Sequence, residues 1–203
     1  MGRARDLANI LSSSGNVALD SELGLTLITP TSVTTTGGSA TISSTGKVSF
    51  TGASTISLNG VFSSTYANYK LLFMANAASA TATLYFRFRT SSDDSGTNYY
   101  AASNGVNWSN SGVSNNLVTQ SAFIVGSLVI NDPGYTRFNY DCFSPNLGTY
   151  ASLLGGQSSG IVGGPAHNHG ALWSVTATQF TGFTVYPGSG NIGGTVSVYG
   201  YRN

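Results

Sequence analysis

Apolar and polar residues alternate in short runs along most of this chain, and residues that favour turns separate the runs. The period of two is clearest around TLYFRFR, where Leu84, Phe86 and Phe88 share one face and Tyr85, Arg87 and Arg89 the other. The C-terminal TVSVYGYR repeats it, with Val196, Val198 and Gly200 opposite Ser197, Tyr199 and Tyr201. Runs of this kind predict strands over 53–58, 69–75, 81–90, 121–130, 135–143, 149–154, 171–176, 179–186 and 195–202. No stretch longer than two turns carries the helical period of about 3.6 residues. About eight or nine antiparallel strands in this space predict an all-β fold, an antiparallel β-sandwich of jelly-roll kind.

Two segments precede that pattern and differ from it. Residues 1–25 hold Arg3, Arg5, Asp6, Asp20 and Glu22, and Leu7, Ala8, Ile10 and Leu11 form one short apolar face before SSSG stops it. Two helical turns are not stable alone, so this arm is expected to be ordered by a partner, docking through Arg3, Arg5, Asp6, Leu7, Ile10 and Leu11. Residues 26–45 are rich in Thr and Ser with Gly37 and Gly38, and are expected to be an extended linker or a strand added to a neighbour. Residues 46–203 form the sandwich domain. Two polar stretches within it, 91–116 and 155–170, are expected to be long loops and the functional surfaces.

Charge narrows the function classes. Only 7% of the 203 residues are charged, against roughly a quarter in an ordinary domain. The net charge is +1, and 11 Tyr and 10 Phe are available for a core, which excludes a disordered chain. No apolar run reaches the roughly 18 residues needed to span a bilayer, so membrane insertion is not expected. Eight Lys and Arg spread along the chain make no basic stripe, so nucleic acid is not an expected partner. Weak self-repulsion favours association between copies. The opening MGRARDLANIL lacks the apolar core of a secretory leader, so export is not expected. Cys142, the single cysteine, lies in a strand-like run and reads as a buried small hydrophobe.

The catalytic inventory is poor, and neither enzyme activity nor a cofactor is expected. Asp93 and Asp94 are adjacent in one polar stretch, whereas paired glycosidase carboxylates face each other across a cleft; they read as a solvated turn or a weak cation site. Asp132 reads as part of a turn before Pro133 and Gly134. GQSSG has no strand-to-helix turn after it, and Gly193 and Gly194 precede a strand, so neither is a nucleophile elbow or a phosphate cradle. His167 and His169 stand two residues apart in an expected loop, which if extended gives two metal ligands in one chain and six on a threefold axis; the alternative is a loop whose histidines hydrogen-bond locally or meet a neighbour. Tyr99, Tyr100 and Trp108, with Asn104 among them, have the chemistry of an adaptable contact surface or of sugar stacking, and Trp108 is equally suited to plug the end of the sandwich.

The opening GRARDLANILSSSG and the Thr/Ser/Gly tract after it resemble the N-terminal arms of tailed-bacteriophage virion proteins of the tail-fibre and head-fibre type. The block STISLNGVFSSTYANYKLLFMANAASATATLYFRFRTSSDDSGTNYY is similar to the start of their jelly-roll tip domain, and GTVSVYGYRN to its terminal strand. The resemblance implies a homotrimer on the virion surface, the arm fixed to other virion proteins and the sandwich turned outward, with a host-surface glycan as one candidate receptor. Two rival readings are a capsid decoration protein and a tailspike-like carbohydrate-active enzyme, the second disfavoured by the shortage of acids.

Overall fold

A computed structural model describes residues 24–107, 112–128, 136–158 and 165–202. The arm residues, Trp108 and Asp132 lie outside them. The described residues form fifteen strands and no helix. In chain order these are β1 Leu25–Ile28, β2 Ser32–Thr36, β3 Ser39–Ile42, β4 Val48–Ala53, β5 Thr55–Asn59, β6 Asn68–Ala78, β7 Ala82–Arg89, β8 Tyr99–Asn107, β9 Gly112–Gln120, β10 Phe123–Leu128, β11 Thr136–Phe143, β12 Ser152–Ser158, β13 Pro165–Ser174, β14 Gly182–Pro187 and β15 Ile192–Tyr201.

They pair antiparallel in two sheets. The larger, of ten strands, runs β3-β4-β15-β6-β11-β12-β13-β8-β9, with β1 also paired to β15; the smaller, of five, runs β10-β7-β14-β5-β2. The jelly roll is visible in this order. Strands β4, β15, β6 and β11 face β5, β14, β7 and β10, and the chain crosses between sheets in the two-Greek-key sequence. Two hairpin-like excursions are inserted into that frame, β8-β9 after β7 and β12-β13 after β11. Both join the larger sheet beyond β11 and extend it.

Alternation explains the core. Along β11, and along β15 from Gly194 on, every second residue is buried, and the buried set of each sheet meets that of the other. Aromatics fill the space: the ring of Phe88 stacks on Phe180 at 4.7 Å and meets Phe86 edge-on at 5.0 Å, while Tyr99 meets Phe123 edge-on at 4.6 Å. Each such ring taken from water contributes about 1.5–3 kcal/mol. Cys142 is fully buried among them, and burial pushes its thiol up.

Three expectations are corrected. Residues 26–45 are not a linker: β1 pairs β15, β2 pairs β5 and β3 pairs β4, and Ile28, Val33, Ala40 and Ile42 pack on the core. Backbone pairing needs no apolar composition, which is why a Thr/Ser tract serves. The polar stretch 91–116 is likewise not one loop, because Tyr99 onward is β8 and Gly112 onward is β9. Of the Gly-rich stretch 155–170, the described parts belong to β12 and β13. Gly155 is there for close packing: a Cβ on it would overlap the carbonyl oxygen of Asn139 on β11.

Candidate functional site: the outer face of the larger sheet

Register places the outward residues in rows across the strands. One row is Tyr199, Lys70, Asp141 and Leu154; the next is Ser197, Leu72, Asn139 and Gly156, in line with the exposed Asn104 of β8; a third is Thr195, Met74, Arg137 and Ser158. The first three strands of these rows and β12 enclose a groove of about 890 Å³. Its polar anchor is Asp141, whose Oδ1 accepts from Lys70 Nζ at 2.9 Å and from the Tyr201 hydroxyl. Burial, with the Asp141 hydrogen bond and charge adding to it, pushes the Tyr201 phenol up to about 12. Leu72 and Leu154, 38% and 50% exposed, give the groove apolar ground.

A fourth row, Asn68, Phe143, Ser152, Trp173 and Tyr100, carries the aromatics. Trp173 is 45% exposed, and Tyr150, in the turn leading into β12, is 54% exposed. The Trp173 ring lies 5.6 Å from Tyr150 and 6.2 Å from Tyr100, tilted by 59° and 43°. Alternation produces this group. The neighbours in sequence point inward: Tyr99, Leu153 and Ser174 are buried, which leaves Tyr100, Ser152 and Trp173 on the outside.

The sequence-predicted residues separate accordingly. Tyr100 is half-buried on the outer face and Asn104 is exposed there. Tyr99 is a correction: it is fully buried, its hydroxyl donates to the Asp94 carbonyl and accepts from Phe88 N–H, and burial pushes its phenol up. A surface contact needs the opposite parity of the strand. His167 and His169 fall on β13, not in a loop, registered with Gln157 and Gly105 and with Gly155 and Ser103. The signal for Trp173 was only that it is the second tryptophan; the run Leu172, Trp173, Ser174, Val175 carries apolar residues on both parities and names no face.

The acids are tied into the framework. Asp93 accepts from the hydroxyl of Thr184 at 2.6 Å, with Arg89 3.7 Å away, and closes a loop over the outer side of the smaller sheet, where Thr184 and Ser57 are buried and bonded at 2.7 Å. Asp94 accepts from Gly96 N–H and from Asn98 Nδ2, both at 3.2 Å. Asp93 is tied to β14 and is not the solvated turn expected from sequence, whereas Asp94 is bonded within its own turn; neither lines the groove on the larger sheet.

Fold and face together define a class: an antiparallel jelly-roll sandwich with one enlarged sheet whose outer side bears exposed aromatics. No family model matches the chain, and no curated protein matches it. Among solved structures, a protein of unknown function from Shewanella oneidensis MR-1 is similar over 87% of this chain and 78% of that one, at 9% identity and a TM-score of 0.27.

Proposed function

We propose that this chain is a non-enzymatic structural protein of a bacteriophage virion. It is a homotrimeric fibre-type surface protein that docks to the particle through residues 1–25 and turns its sandwich toward the host surface. The observation that carries this reading is the enlargement of one sheet by β8-β9 and β12-β13, which extends a complete jelly-roll core by a face on which Asn104, Leu154 and Trp173 are exposed. A sandwich that only had to fold would not need it. The anchoring of Asp93 on Thr184 and the engagement of Asp94 within its own turn support a binding role over hydrolysis, because a general acid and a nucleophile need carboxyls aimed at a shared substrate.

Immunogold labelling of intact particles with an antibody to the sandwich tests the reading. Label at the tips of fibres is expected. Label spread over the capsid shell would replace it with the decoration role, and particles without label would remove the virion assignment altogether.

A further inference from the structure

The aromatic row has a chemistry that the fold does not require. Core stability is served by buried rings, yet Trp173 and Tyr150 keep about half their surface in water, where rings of this size are costly to leave without a partner. The strands that carry or flank the row on its outer side, β8, β9, β12 and β13, contain no Asp, Glu, Lys or Arg, and neither does the whole stretch 144–180. The polar groups beside the rings are hydroxyls and amides: Ser152 is registered directly with Trp173, Thr149 adjoins Tyr150, and Tyr100 and Tyr150 have their own phenols.

We propose that Tyr100, Trp173 and Tyr150 form a binding site for an uncharged saccharide, with a pyranose ring stacked on Trp173 and flanking sugars against the two tyrosines. Three features select this ligand. The CH face of a pyranose matches an exposed indole, and a ring stacked there still exposes its hydroxyls to donors and acceptors at the rim. The rings are tilted by 43° and 59° about Trp173, so they form a shallow cradle that follows a bent chain better than a flat protein surface. The strands around the rings contain no Asp, Glu, Lys or Arg, His167 and His169 on β13 being their basic side chains, and this near-absence of formal charge complements a neutral ligand. The charged side chains that line the groove, Lys47, Lys70, Arg137 and Asp141, stand just before β4 and on β6 and β11, on the far side of β12 from Trp173.

This inference rests on the attachment reading but is tested apart from it. The purified full chain is applied to a printed array of neutral and anionic bacterial surface glycans, and the glycans that bind are titrated by isothermal titration calorimetry, which reads the parent and every variant alike. Binding confined to neutral glycans is expected, insensitive to salt, with Trp173→Ala and Tyr150→Ala each weakening it by about tenfold or more and Trp173→Phe restoring part of it. Because all three positions are on the surface, the variants are expected to keep the parent's thermal midpoint. Binding only to anionic glycans, binding unchanged in Trp173→Ala, or no glycan bound would each overturn the site. So would sedimentation showing that Trp173→Ala merely dissociates an oligomer, since the rings would then be covered by a second copy. Sugar binding by a protein absent from labelled particles would remove the virion role and leave this site standing; labelled fibres without sugar binding would do the reverse.

Discussion

At the scale of single residues, tyrosine does different work according to strand parity. Tyr99 and Tyr140 face inward and are buried, with hydroxyls on the Asp94 and Val125 carbonyls, whereas Tyr100 one position along faces outward. Burial raises the phenols of Tyr69, Tyr99, Tyr140 and Tyr186, and Tyr201 rises to about 12 beside Asp141. The sign follows from linkage. Below the ordinary phenol value of 10.0 both folded and unfolded chains hold these protons, and the stability the groups carry is complete. Above it the unfolded chain releases protons that the folded chain keeps, so stability falls as pH rises, for Tyr201 through the window from 10.0 to about 12. Cys142 adds to the fall from its ordinary value of 9.0 upward. Urea midpoints are therefore expected to drop between about pH 8 and about pH 11, and less steeply in Tyr201→Phe, which has no proton to lose in either state. A midpoint constant across that range would show that these groups are solvated in the folded chain.

Among elements, the corner between the sheets is the most constrained. The chain leaves β2 in the smaller sheet and enters β3 in the larger through Gly37 and Gly38, with φ of +66° and +57°, in the left-handed region where a Cβ is costly. A Cβ at Gly38 would also overlap the Thr51 carbonyl oxygen, because β4 turns into β5 across the same corner through Ser54 alone. Gly38→Ala is expected to destabilise the protein by about 1–3 kcal/mol, read as a lower urea midpoint at unchanged slope. Most strands that build the inner faces were legible in the sequence, since burial on one side imposes alternation: 81–90 and 135–143 match β7 and β11 closely, whereas β4, which buries Val48 and Phe50, was not predicted. The predicted strand 53–58 spans this corner, and the structure divides it between β4 and β5. The strands β8 and β9 were not legible. They lie at the end of the sheet and are written in Asn, Ser and Gly, so they are held by backbone pairing that leaves no periodic trace. The aromatic site shared that obscurity, because assigning Trp173 and Tyr150 to it requires knowing which strands lie beside β12.

For the whole molecule, the boundary of the folded unit lies earlier than the composition suggests. Because β1, β2 and β3 pair with three different strands in both sheets, a chain beginning at Gly46 is expected to melt well below one beginning at Gly24, or not to fold, in thermal unfolding followed by circular dichroism. Equal melting temperatures would return residues 26–45 to the status of a linker. The pairing of β1 with β15 also fixes how the domain bears load. Leu25 is registered with Tyr201, and Arg202 N–H reaches the Gly24 carbonyl at 3.3 Å, so both strands end side by side. Tension between these two ends opens the β1-β15 ladder one rung at a time, as a zip, while β15 stays clamped by β6 along Ile192 to Gly200. A pull on the chain ahead of Gly24 thus meets a short strand that peels before the core is strained, which makes β1 a mechanical fuse between that end and the sandwich.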